Sequence, residues 1–241
     1  MDGKPFGVRT HVYGSKDEGK KTLVMVHGYL GNSVGWLHMI RPLAERYRLV
    51  LFDHGSWGLN TRLAQCSGLL SEEAAEQWMI QWLSKVFDAL DLPEKFYLAG
   101  HSIGGWLAAQ YASHSPDRIE GLFLMSPAGT EPFKEATWDP YAMKDPDDLR
   151  KECMDRPRVS KILRMLETKT HPLADIHQVP RCALRKPLKK WTDGCFRDDL
   201  YSEEVKSAAF DYFFRMIEKP SVVDIVELMP FKFECYSLHP L

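Results

Sequence analysis

The sequence predicts an α/β protein, a mostly parallel β-sheet flanked by helices. Three observations lead there. Short apolar runs alternate with stretches of helical periodicity between residues 22 and 125. One of these runs passes through Gly100-His101-Ser102-Ile103-Gly104 straight into a helix-forming segment. Two others end in glycine-bearing loops, His27-Gly28-Tyr29-Leu30-Gly31 and Asp53-His54-Gly55-Ser56-Trp57-Gly58.

Taken in order, Val8 to Tyr13 alternates weakly and reads as an edge strand closed by Gly14-Ser15. Thr22 to Val26 is a continuous, partly β-branched run, as expected of a parallel strand buried on both faces. Val34 to Arg46 carries Trp36, Leu37, Ile40 and Leu43 at helical spacing. Tyr47 to Phe52 is a second buried strand. Ser71 caps the clearest helix, whose stripe (Ala75, Trp78, Met79, Trp82, Leu83, Val86) ends before Pro93. Lys95 to Gly100 is the third strand, Ile103 to His114 a helix, and Ile119 to Met125 the fourth strand.

After Pro127 the pattern changes. Residues 130–158 are rich in Pro, Asp and Lys, with Trp138 among them, and short helices are expected at Val159 to Leu166, Glu203 to Ile217 and Ser221 to Leu228. Phe231 to Leu238 reads as a strand again. The expected organisation is therefore a core over residues 1–129, a helical lid or cap insertion over 130–230, and the start of a returning core strand over 231–241.

The Gly100–Gly104 turn has a physical reading. A strand that reverses sharply into a helix strains the residue at the apex, so Gly100 and Gly104 supply the room that Ser102 needs. Ser102 then stands at a helix N-terminus, where free N–H groups and the macrodipole favour developing negative charge. That strand–turn–helix context is the one a Gly-x-Ser-x-Gly nucleophile requires.

Composition narrows the class. The 241 residues are 44% hydrophobic and 27% charged, with a formal net charge of −2, so nothing global draws the chain to nucleic acid or to an anionic membrane. The five cysteines are scattered and odd in number, which fits free thiols in a reducing compartment better than a disulfide framework. The first residues lack an apolar leader run, and the expected location is the cytoplasm. Asp53-His54 lacks further ligands at suitable spacing, so no metal and no cofactor is expected.

These residues resemble the α/β-hydrolase superfamily, in register over roughly residues 8–129. The loop Gly28-Tyr29-Leu30-Gly31 and the segment from Asp53 to Arg62 look most like its lipid-acting branch, that of N-acyl-phospholipid lipases and lysophosphatidate acyltransferase-like proteins. The resemblance implies an acyl hydrolase acting on a carboxylic ester, an amide or a lipid. It makes Ser102 the nucleophile and the backbone N–H groups of Tyr29 and Ile103 the oxyanion hole, with Gly28, Gly100 and Gly104 shaping the loops. His27 is read as a buttress of its loop. Serine at 102 argues against haloalkane dehalogenases and epoxide hydrolases, which resemble this fold but use an aspartate there.

The family order places an acid and then a histidine after Ser102, on loops beyond two further strands. Only one further strand-like run is found, so the last strands are expected to be missing. His101 should point away from the Ser102 hydroxyl, His114 lies at the far end of its helix, and His171 and His177 fall in the insertion. His239 alone follows a strand-like run and is the candidate triad base; the acid is unassigned, with Asp193, Asp199 and Asp224 in question. The branch's H-x4-D acyltransferase motif is absent, His171-x3-Asp175 being one residue short.

Two other readings stay open: a catalytically incomplete hydrolase acting as a lipid- or protein-binding module, and an acyltransferase on the same nucleophile. Arg181, Arg185, Lys186, Lys189 and Lys190 beside Trp191 read first as a solvated face, and otherwise as a contact for a phospholipid headgroup or a membrane or lipid-droplet surface. Substrate and oligomeric state are not legible.

Overall fold

In the computed structural model, residues 6–28, 31–55, 58–61, 72–129, 180–196 and 200–217 are described. They form five strands, β1 (Thr10–Tyr13), β2 (Thr22–Val26), β3 (Arg48–Phe52), β4 (Phe96–His101) and β5 (Ile119–Met125). Their helices are α1 (Leu37–Ala44), α2 (Glu72–Ala89), α3 (Ile103–His114), α4 (Arg181–Cys195) and α5 (Glu203–Ile217). The sheet runs β1-β3-β2-β4-β5, parallel except for β1, which pairs antiparallel with β3.

Strand periodicity sorts the core into two layers. Val24, Val26, Val50, Phe52 and Leu98 point to one face, where they meet Trp82, Leu83 and Phe87 of α2 and Trp106, Leu107 and Tyr111 of α3. Their chain neighbours Leu23, Met25, Leu49, Leu51 and Ala99 point to the other, against Trp36 and the inner side of α1. Every residue of β2 and β3 is buried, as a parallel strand covered on both faces should be.

A third apolar cluster joins α4 and α5 to the chain just after β2. Phe196, Ala209, Phe213 and Met216 are buried there, with Leu184 and Leu188 of α4 and with Val34 and Leu37 packed against them. This places both helices over the ends of the strands at which Gly28 and Asp53 emerge.

One expectation needs correction, and the structure adds to two others. The helix expected over Val34 to Arg46 begins as a 3₁₀ turn over Ser33–Trp36, capped by Asn32, whose side chain accepts from Val34 N at 2.9 Å; only then does α1 start, and Pro42 removes a helical hydrogen bond within it. The basic run at 181–191, read without secondary structure, lies within helix α4 in spite of Pro187. The apolar run in β5 is not covered on both faces: Leu122, Phe123 and Leu124 are exposed, and among the described residues β5 is an edge of the sheet. The segments 159–166, 221–228 and 231–238 lie outside the described residues.

Candidate active site

Ser102 links β4 to α3 with φ 55° and ψ −124°, a backbone region that residues with a side chain seldom occupy. Hydrogen bonds hold it there. Its N–H donates to the Met125 carbonyl at the end of β5 (3.0 Å), and its carbonyl accepts from the N–H groups of Gly105 (2.9 Å), Trp106 (3.2 Å) and Ala128 (3.0 Å). The turn is thus tied both to its own helix and to the strand beside it.

The glycines permit this closeness. A Cβ on Gly100 would lie 2.2 Å from the Gly104 carbonyl oxygen, and one on Gly104 would lie 2.3 Å from the His27 carbonyl oxygen. No side chain fits in either space, so α3 starts directly against β4 and the end of β2. On the other side, a Cβ on Gly28 would stand 3.0 Å from the Ser102 Cβ and 3.0 Å from His101 Nδ1. The loop leaving β2 therefore lies against the apex serine. Gly28, Gly100, Ser102, Ile103 and Gly104 are brought together; Tyr29, one residue beyond Gly28, lies outside the described residues. Ile103 is the first residue of α3, so its N–H has no partner four residues back in the helix.

Beneath this turn, His27 and His54 stack with ring centroids 4.1 Å apart. The His54 N–H donates to His27 Nε2 (3.0 Å), which leaves the His27 proton on Nδ1, 2.9 Å from the Gly28 carbonyl that accepts it. His54 Nε2 in turn donates to the His27 carbonyl at 2.8 Å. Burial pushes the His27 imidazole below the ordinary histidine range and the His54 imidazole well below it, His27 adding to the latter effect. Both rings are structural ties between the loops after β2 and β3.

Asp53, wholly buried, closes the network. Its Oδ1 accepts from the backbone N–H (2.8 Å) and hydroxyl (2.9 Å) of Ser33; its Oδ2 accepts from the Leu59 N–H (2.9 Å) and from the Tyr212 hydroxyl of α5 (2.5 Å). Gly58, at φ +56°, leaves the space this carboxylate fills. Burial and the neighbouring Asp53 charge raise the Tyr212 hydroxyl far above its ordinary value, so it stays protonated and donates. Sequence reasoning missed Ser33 and Tyr212; the local signal was the Asp53-x-Gly55-x-x-Gly58 spacing, which marks a carboxylate ringed by backbone but does not name its partners.

Among the described residues no hydrogen bond engages the Ser102 hydroxyl side chain. His38 packs against the Tyr201 ring, His101 lies edge-on to Trp36, and His114 Nδ1 donates to the Gln110 carbonyl. Asp193, one of the acids in question, sits on the exposed side of α4 with both carboxylate oxygens 3.0 Å from Lys189 Nζ. His171, His177, Asp199, Asp224 and His239 lie outside the described residues. No group of three or more His, Cys, Asp or Glu among the described residues is placed to hold a metal, and no helix among them is long and apolar enough to cross a membrane.

Comparison with known proteins agrees with this architecture. The chain is 37% identical over 113 residues to a 1-acylglycerol-3-phosphate O-acyltransferase of Arabidopsis thaliana, a match covering 46% of this chain and 26% of that protein. It is 33% identical over 117 residues to a 2-hydroxy-6-oxononadienedioate/2-hydroxy-6-oxononatrienedioate hydrolase of Paraburkholderia xenovorans, covering 47% of this chain and 38% of that one. The matched part is thus well under half the length of either relative. The fold of the chain is similar to that of an epoxide hydrolase from Bacillus megaterium, with a TM-score of 0.60 at 15% identity over 97% of this chain and 74% of the other. The family profile described as the alpha/beta hydrolase fold matches residues 21–172, and the chain belongs to that family.

Proposed function

We propose that the chain transfers acyl groups through a covalent intermediate on Ser102, with a carboxylic ester or amide, lipids included, as donor. The observation that carries this reading is the strained, multiply tied turn at Ser102 with Gly28 lying against it. A rigid frame of this kind holds a hydroxyl in place before a substrate arrives.

In this reading the Ser102 oxygen adds to the carbonyl carbon as its proton passes to a histidine base. The carbonyl oxygen takes up negative charge, which the N–H groups of Ile103 and Tyr29 receive. Collapse expels the alcohol or amine with that proton and leaves the acyl group on Ser102. Donors fixed in advance need no reorganisation as charge develops, and loss of one typically slows such reactions by ~10²–10³. His239 is the candidate base; the acid stays unassigned, and the exposed ion pair of Asp193 with Lys189 makes it the weakest of the three.

Water or an alcohol can then resolve the acyl-enzyme, giving hydrolysis or acyl transfer. The names of the relatives include both outcomes, and the two share every step up to the intermediate. Mass spectrometry of the intact chain after brief mixing with short- and long-chain p-nitrophenyl esters tests this reading. An adduct of acyl mass mapping to Ser102, absent from Ser102→Ala, is the expected result. Adding glycerol or a lysophospholipid then shows which acceptor takes the acyl group. Release of p-nitrophenol with no adduct at Ser102, or no reaction from a folded chain, rules the reading out and leaves a binding module on the same fold.

A further inference from the structure

We propose that the outward arc of α4 is a docking surface for an anionic phospholipid bilayer. The contacts of this helix fix which side faces out. Leu184 and Leu188 pack towards α5, and Thr192 is buried. The Arg185 guanidinium lies 5.3 Å from the centre of the Phe210 ring, and Trp191 meets Phe213 edge to face at 4.7 Å. With 3.6 residues per turn, Lys186, Lys189 and Lys190 fall on the side opposite this seam, and Ala183, Pro187 and Trp191 lie along one flank of them. All six are exposed, Trp191 by 48% despite its contact with Phe213.

Charge on this helix is segregated. Five of its residues are basic and one is acidic, in a chain whose net charge is −2. The one acid, Asp193, pairs with Lys189. Lys186 and Lys190 have no ion pair among the described residues, and both side chains are exposed.

The combination selects the partner. Long lysine stems reach up to phosphate groups while an indole beside them settles at the polar–apolar boundary of a bilayer. An acidic protein would satisfy the lysines but leave the half-bared indole without its boundary. A helix that is polar outside, basic, and flanked by an aromatic is the pattern of a surface-lying contact rather than of a span. The seam with α5 holds α4 in place, so this surface is presented without further folding. The contact requires no chemistry at Ser102, and its test is independent of acyl transfer.

The test is co-sedimentation of the full chain with phosphatidylcholine vesicles, with and without phosphatidylserine, alongside Lys186→Glu/Lys190→Glu and Trp191→Phe variants. The positions are exposed, and circular dichroism melting confirms that the variants fold. The expected result is binding only to the phosphatidylserine vesicles, weakened by added salt and by roughly tenfold or more in the charge-reversal variant. Brominated lipid should quench tryptophan emission of the bound wild type and quench Trp191→Phe less. No binding to the phosphatidylserine vesicles overturns the proposal, as does equal binding by the charge-reversal variant or equal quenching in Trp191→Phe. Capture of an acidic protein with no vesicle binding overturns it too.

Discussion

The Tyr212 hydroxyl donates to Asp53 Oδ2 at 2.5 Å, and by that bond α5 is fastened to the loop leaving β3. The same carboxylate holds Ser33 at the end of the loop leaving β2. One buried side chain thus sets the spacing between the loops leaving β2 and β3, the first of which lies against Ser102, and the helix that packs over them.

Removing this donor should loosen the attachment. Tyr212→Phe keeps the ring and loses one hydrogen bond to a carboxylate, a change expected to cost ~1.5–3 kcal/mol. Asp53→Ala strands the N–H groups of Ser33 and Leu59 as well and should cost more, about 3–5 kcal/mol. Urea unfolding of the three proteins measures both. A Tyr212→Phe midpoint equal to wild type would mean the bond contributes nothing, and an Asp53→Ala protein no weaker than Tyr212→Phe would mean the carboxylate does not organise its loops.

Two glycine substitutions should behave in opposite ways. Gly104→Ala forces a methyl to within 2.3 Å of the His27 carbonyl oxygen and should destabilise the chain by about 3 kcal/mol or more, with loss of any reactivity at Ser102. Gly194→Ala, within α4 and with nothing in the way, should be neutral or stabilising by up to ~1 kcal/mol. Thermal melting decides the matter. A tolerated Gly104→Ala would contradict the close approach of α3 to β2.

Acid should weaken the fold through the stacked histidines. His54 and His27 have depressed values in the folded chain, so below the ordinary histidine value of about 6.5 the unfolded chain binds more protons. Their contribution is complete above that pH and is lost as the pH falls beneath it. The limit is about 1.4 kcal/mol per pH unit for each ring. His54→Gln removes one titrating ring and retains an amide N–H, so its stability should fall less steeply between about pH 6.5 and 5. Parallel slopes for the two proteins in urea titrations would show that His54 does not titrate on unfolding.

Much of this was legible because it is written locally. Continuous apolar runs in β2, β3 and β4 announce strands buried on both faces, and the Gly100–Gly104 spacing announces the turn at Ser102, since only glycine fits where backbones nearly touch. The Tyr212–Asp53 bond joins positions 159 residues apart and has no local signature. Helix α4 was hidden by Pro187, Gly194 and a polar composition; it forms because Leu184 and Leu188 find an apolar seam on α5. In β5 the apolar run announced a strand correctly, yet hydrophobicity alone does not say what covers it, and Leu122, Phe123 and Leu124 stand exposed.

The central claim is that Ser102 is an activated nucleophile. Labelling of the purified chain with a fluorophosphonate probe, beside Ser102→Ala and heat-denatured chain, tests it most directly. Expected is one label per chain, on Ser102, lost in both controls; His239→Ala should then abolish it as well. A folded chain that takes no label, or takes it equally in Ser102→Ala, would contradict the claim.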